Sequence, residues 1–293
     1  MMRVLLGLAI AAGAPLLQFR TSVDVVRVEA LVLEDGRPVA GLTAADFSVT
    51  DNGVAQAIRV RALAREPIDV AIALDVSGSV AGDRLERLRA AARALVGQLT
   101  PADRATLLTF DHALSLGPRD ANPAALEARL RGLGAQGRTS LVDAATTALV
   151  WSIGRDRPML VIIFSDGRDT ASWTRPEQAL ALAGRSGAVV DAVVMGELMP
   201  KGVARLVTGD EATLLTPDER FAADLAVSTG GRVRNGSAGA GLAAAFRESL
   251  DSFRARYEIS YDATSQAPGW HAIDVRVPGR RGAAVHVRRG YQR

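Results

Sequence analysis

"IDVAIALDVSGS", residues 68–79, decides how the rest of the chain is read. Its first eight residues, 68–75, form a nearly continuous apolar run of strand length. A strand with one wet face would alternate instead, so this one is covered on both faces, as in a parallel sheet flanked by helices. The run ends abruptly in small polar residues. Asp75, Ser77 and Ser79 therefore stand at the carboxyl end of a buried strand. In doubly wound sheets, ligands occupy the crevice outside those ends.

Working toward the C-terminus, the same alternation of buried strand and amphipathic helix continues. Residues 82–99 put Leu85, Leu88, Ala92, Leu95 and Leu99 on one helical face and turn Arg87 and Arg93 away. "ATLLTF" (105–110) is a second buried strand, and Asn122-Pro123 opens a helix over 123–133. A helix follows over about 141–153, then the strand "MLVIIFSDG", a helix near 176–186, the strand "AVVDAVVMG", and a last long helix over about 239–253. This rhythm predicts an α/β fold with a doubly wound, mostly parallel sheet over residues 67–253.

Both flanks are different in kind. In "VDVVRVEALVL" (23–33), Val26, Val28, Ala30 and Val32 face one way, Arg27 and Glu29 the other. Asp35-Gly36 makes a turn, "DFSVT" a short strand, and "DNG" (51–53) a hairpin signal before Ile58, Val60 and Ala62. After Arg256 the period is again two: Tyr257, Ile259 and Tyr261, then Ile273, Val275 and Val277, then Val285 and Val287. Three strands at either end are too few for a stable sheet with a covered face. Residues 19–66 and 254–293 are therefore expected to form one small β-sandwich-like domain, with the α/β domain inserted in it.

Residues 1–18 carry Arg3 and then an apolar run from Val4 to Leu17. That length suits a signal-peptide core and falls short of a bilayer span. Ala12-Gly13-Ala14 has the small-residue cleavage pattern, while Pro15 directly after it is an awkward scissile position. The segment is a signal peptide or a short N-terminal anchor, with a buried N-terminal strand or helix as the alternative. An exported protein, periplasmic or extracellular, is expected, meeting a membrane only through that anchor.

Composition narrows the function classes. The chain has 293 residues, 48% hydrophobic and 23% charged, and no cysteine, which removes disulfides, thiolate metal sites and cysteine nucleophiles. A sequence pI near 9.9 invites nucleic acid. Net charge is only +3, however, and arginines are interspersed with acids; three tyrosines and three tryptophans offer little stacking. Nucleic-acid binding needs clustered charge and is not expected.

"GLGAQGRTSLVDA" (132–144) matches two nucleotide patterns. Gly132, Gly134 and Gly137 fit G-x-G-x-x-G, and Gly132–Thr139 fits the phosphate loop with Arg138 in place of lysine. Both patterns require a preceding strand, whereas this loop follows a helix, so no nucleotide is expected. The glycines instead let the backbone bring Thr139 toward other loops. Asp166 of "FSDG" stands at the carboxyl end of another buried strand. Two carboxylates and three hydroxyls form a hard, all-oxygen set, suited to octahedral magnesium or manganese at about 2.0–2.1 Å rather than zinc. The bland alternative is that Ser77, Ser79 and Thr139 cap helices. Asp166 also suits a turn, Asp143 a cap or a support for the loop, and Asp169 a solvent-facing position. His112, His271 and His286 are isolated in sequence and read as surface or strand residues, and "NGS" (235–237) as a turn.

"DVSGS", "GRTSLVDA" and "FSDG", in this order on this alternation, resemble the von Willebrand factor type A domain and its metal-ion-dependent adhesion site. That site is D-x-S-x-S, a threonine on a second loop and an aspartate on a third, and all five positions are filled. The flanks "GLTAADFSVTDNG", "YEISY" and "RRGY" are similar to bacterial exported members of the family. The resemblance implies that Asp75, Ser77, Ser79, Thr139 and Asp166 share one Mg2+ or Mn2+, the hydroxyls directly and the aspartates through water. It also implies that a carboxylate from a protein partner completes the octahedron. One such contact cannot give specificity, so loops 80–84, 111–119 and 167–175 are expected to add shape and apolar contact, with Trp173 on the rim unless it is buried. That is capture and not catalysis. The rivals are a scaffold whose ion only stabilises loops, and a magnesium-dependent hydrolase, for which no arginine finger, no histidine base near the site and no G-x-S-x-G context is found.

Overall fold

The computed structural model describes residues 25–118, 122–166, 168–194, 217–236, 241–265 and 267–293; the leader segment expected at 1–18 lies outside them. The chain opens with β1 (Val25–Glu34), β2 (Arg37–Pro38), β3 (Ser48–Asp51), β4 (Val54–Ala55) and β5 (Ile58–Ala62). The α/β portion follows with β6 (Asp69–Asp75), α1 (Asp83–Val96), β7 (Arg104–Phe110), β8 (Leu114–Leu116), α2 (Pro123–Arg131), α3 (Leu141–Ser152) and β9 (Met159–Ser165). It continues through α4 (Pro176–Ala183), β10 (Val189–Val194), α5 (Pro217–Ser228), β11 (Val233–Asn235) and α6 (Gly241–Arg254). The chain closes with β12 (Tyr257–Asp262), β13 (Trp270–Arg276), β14 (Ala284–His286) and β15 (Gly290–Gln292).

Every residue of β6 is buried, as its unbroken apolar run predicts. It sits inside a six-stranded sheet of order β11-β10-β9-β6-β7-β8, parallel except for the β8 edge. Successive side chains of a strand point to opposite faces. Val70, Ile72 and Leu74 accordingly join a cluster with α1, α2 and α6, while Ala71 and Ala73 join one with α3, α4 and α5. Asn122 caps α2 by accepting from the Ala125 N–H at 2.8 Å, with Pro123 at the first turn. Because β7 lies on one side of β6 and β9 on the other, the connection changes direction between β6 and β9. The carboxyl ends of these two strands therefore flank the topological switch point.

The terminal strands pair with one another. One antiparallel sheet runs β14-β1-β12-β5, with β2 beside β1, and a second runs β15-β13-β3-β4. Their inner faces meet in a core that includes Val28, Val32, Phe47, Val49, Tyr257, Ile259, Ile273 and Val275. The two sheets are also tied by a buried carboxylate. Asp51 on β3 accepts from the hydroxyls of Tyr261 at 3.0 Å and Tyr291 at 2.9 Å, and its other oxygen lies 3.0 Å from His271 Nδ1.

Three differences from the sequence reading have physical causes. "DNG" does form a hairpin, with Asn52 and Gly53 at positive φ, but its return strand is only Val54–Ala55. The chain then crosses to the other sheet, where β5 pairs with β12. β1 is not half-exposed: Glu29, Leu31 and Leu33 are buried along with the inner face. Its second face meets the α/β portion, where Arg27 and Glu29 share a small cavity with residues of the 152–159 segment. His271 is in a strand as expected, yet 1% exposed, because it stacks on Tyr291 and bonds to Asp51.

Arg256, between α6 and β12, stitches the two parts. It is buried and donates to the backbone carbonyls of Glu29, His286 and Gly230. Burial lowers its pKa to about 10, still far above neutrality.

Candidate functional site

Asp75 ends β6 with its side chain fully buried. Its Oδ1 accepts from the Ser77 backbone N–H at 2.9 Å, and its Oδ2 from the Ser165 hydroxyl at 2.9 Å. Burial pushes the Asp75 carboxyl up from the ordinary carboxylate range, and the nearby negative charge of Asp166 adds to this. Hydrogen bonds from Ser77 and Ser165 pull it back down. A buried carboxylate beside a second carboxylate is an arrangement that a cation relieves.

Three loops converge here, and backbone bonds join them. Gly78 N–H donates to the Gly137 carbonyl at 3.0 Å, and Gln136 N–H to the Val76 carbonyl at 2.9 Å. Thr170 N–H donates to the Thr139 carbonyl at 2.8 Å, and Thr139 N–H to the Thr170 hydroxyl at 3.0 Å. Gly137 is required where it is. Its φ is +71°, and an added Cβ would lie 2.3 Å from His112 Nδ1. The glycine-rich loop thus carries Thr139 to the other two loops.

The hydroxyls lie at helix starts without capping them. Ser77 precedes a 3-10 turn at Gly78–Val80 but makes no side-chain cap bond, and α1 has Gly82 at its N-cap. The N-cap of α3 is Ser140, whose hydroxyl donates to the Asp111 carbonyl. Ser77 Oγ and Ser79 Oγ lie 3.0 Å apart. Ser77 and Thr139 are buried, Ser79 is exposed, and the Thr139 hydroxyl has no hydrogen-bond partner among the described residues. Asp166 is half-buried and accepts from the Arg168 N–H at 3.3 Å. The donor set is all oxygen, with hydroxyls uncommitted to caps, and it fits a hard divalent cation. No group of three or more His, Cys, Asp or Glu side chains suited to a metal exists among the described residues, so the hydroxyls are indispensable to any such site.

Several residues beside the site were not legible as functional. Ser165 orients Asp75; the only hint was its place in "FSDG". Asp169 is in a loop as expected, but it is half-buried and hydrogen-bonded. Its Oδ2 accepts from the Val142 N–H at the start of α3, and its Oδ1 from the N–H groups of Ala171 and Ser172 in its own loop. Asp143 does support the loop, accepting from Trp173 N–H at 3.0 Å and Thr174 N–H at 2.9 Å. Burial raises its pKa, but these bonds outweigh burial and leave it below the ordinary range. Trp173 is 95% exposed. His112, remote in sequence, lies against Gly137, with Nδ1 3.3 Å from Asp111 Oδ1.

Residues 70–168 match the family model of the von Willebrand factor type A domain. Among solved structures, a von Willebrand factor type A protein from Catenulispora acidiphila is similar over 85% of this chain and 75% of its own, at 14% identity and a TM-score of 0.51. Proximal thread matrix protein 1 from the mussel byssus, with a zinc-occupied MIDAS motif, is similar over 71% of this chain and 50% of its own, at 15% identity and a TM-score of 0.51. BatB from Bacteroides thetaiotaomicron covers 64% of this chain and 98% of its own, at 16% identity and a TM-score of 0.49. A comparison with curated proteins finds no match. The α/β part of the chain carries the von Willebrand factor type A fold.

Proposed function

We propose that this protein is an exported interaction module that captures a carboxylate of a partner protein through a divalent cation, magnesium or manganese. Asp75, Ser77, Ser79, Thr139 and Asp166 would hold the ion. A von Willebrand factor type A domain is a fold of protein-interaction modules. The observation that carries the metal reading is that hydroxyls of three loop residues stand at helix starts beside a buried carboxylate and cap nothing. What a bound divalent ion supplies here is positive charge that hydroxyl ligands leave incompletely neutralised, open to an outside carboxylate. Export rests on the apolar run after Arg3.

The scaffold alternative gives the ion the task of holding loops together. Backbone bonds already join the loops carrying Ser77, Thr139 and Thr170, which favours recognition over reinforcement.

Isothermal titration of the full chain with magnesium and manganese tests the reading. Binding is expected, and at a hundredfold excess over the dissociation constant it stabilises the native state by about 2.7 kcal/mol, seen as a higher Tm. Asp75→Ala should abolish both signals while keeping the circular dichroism spectrum. If the wild-type chain binds neither ion, the assignment of these five residues is wrong.

A further inference from the structure

Next to the crevice, a groove of about 600 Å3 runs between the loop carrying Thr139 and the segment after Asp166, walled in part by Arg138, Asp169, Trp173 and Arg175. That volume is within the usual range of ligand clefts. Arg138 adjoins Thr139 in sequence, so the groove begins one residue from the candidate metal site.

The groove lining carries two arginines, Arg138 and Arg175, against one acid, Asp169. Two acids at or beside it are engaged by backbone donors: Asp169 accepts from three N–H groups and Asp143 from two. Arg138 and Arg175 are exposed, and among the described residues neither forms an ion pair. Trp173 is almost wholly in water, yet its backbone is pinned by Asp143. A large indole held out on an anchored backbone loses apolar hydration when a partner covers it, and it loses little conformational freedom in doing so. The other two described tryptophans are 6% and 49% exposed, so Trp173 stands apart.

We propose that this groove binds an extended acidic segment of the partner protein, with a second Asp or Glu between Arg138 and Arg175 and a large apolar or aromatic side chain on Trp173. The proposal rests on the carboxylate-capture reading and deepens it: one carboxylate meets the ion, and the groove selects among the many proteins that could offer one. Guanidinium groups recognise carboxylates by paired hydrogen bonds, which gives the second acid its geometric specificity. Two arginines with an acid between them in the lining do not make the clustered basic surface that a nucleic-acid backbone requires.

The test is a random-peptide selection on the immobilised full chain in magnesium, repeated in chelator and on two variants, R138E/R175E and Trp173→Ala. Peptides enriched on the wild type should carry two acidic residues flanking a large apolar or aromatic one. Synthesised and labelled, the consensus peptide should bind R138E/R175E on the order of tenfold more weakly, and its affinity for the wild type should fall with added salt. Trp173→Ala should keep the acidic preference and lose the apolar one. An unchanged magnesium-induced Tm shift in both variants shows that fold and ion site are intact. The proposal is overturned if no consensus emerges, if R138E/R175E enriches the same peptides with the same affinity, or if a single-stranded oligonucleotide competes as well as the peptide. If instead chelator changes nothing while the arginine variants still weaken binding, the groove stands and the metal bridge fails.

Discussion

Glu29 couples the stability of this protein to pH through a single carboxyl. It lies on β1, is buried, and stands opposite Glu258 on β12 in the antiparallel register. Burial raises its pKa from 4.5 to about 7, against the pull of Arg288, and Glu258 adds like-charge repulsion. Between these two values the folded chain holds a proton that the unfolded chain releases. The stability tied to protonated Glu29 is thus complete below pH 4.5 and is lost as pH rises through about 7. The shift corresponds to about 3 kcal/mol. Glu29→Gln should therefore be more stable than wild type at pH 8 and nearly equal to it at pH 4, measured by urea unfolding. A difference that is the same at every pH would show that burial of this carboxyl is not the cause. Asp75 is also raised by burial, and the hydrogen bonds from Ser77 and Ser165 offset that only in part.

At the scale of elements, β3 does more than its four residues suggest. It pairs with β13 and β4 in one sheet, and through Asp51 it reaches Tyr261 of β12 in the other. Asp51 also meets His271 and Tyr291, so one carboxylate satisfies groups from three further strands. Removing it leaves buried donors without an acceptor, which costs more than the net worth of the bonds themselves. Asp51→Ala should lose about 3 kcal/mol or more in urea unfolding. Tyr261→Phe, which removes one donor and leaves the acceptor two others, should lose about 1 kcal/mol. Equal losses from the two substitutions would mean that the network does not act as a unit.

For the whole molecule, the two apolar clusters of the α/β portion draw on residues from Ile68 to Phe253, with Leu63 the one buried contribution from the N-terminal segment. The β portion has no such independence. β1 depends on β12 and β14, and β3 on β13, while β2 and β4 are two residues each. We propose 67–253 as one folding unit, and the segments 19–66 and 254–293 together as another. Deleting 255–293 should let trypsin cut after Arg27, Arg59 and Arg61 while the arginines within the helices and strands of the α/β portion stay protected, read by mass spectrometry of the fragments. Continued protection of the N-terminal strands in that truncation would rule out their dependence on the C-terminal ones.

The sequence by itself determined the kind of each main element, because hydrophobic period is a local property: the unbroken run of β6, the alternation of β12 and the capped start of α2 are all visible within a few residues. It also brought Asp75, Ser77, Ser79 and Asp166 forward, as small oxygen-bearing side chains after buried strands, and Thr139 as the hydroxyl closing a glycine-rich loop. Tertiary structure alone decided the neighbours. That β9 lies beside β6, so that Ser165 meets Asp75, follows from strand order. So do the transfer of β5 to the far sheet, the burial of Glu29 and His271, and the approach of His112 to Gly137. Each depends on which distant segment covers a face, and that is settled by the burial of apolar surface across the whole chain, which no local window contains.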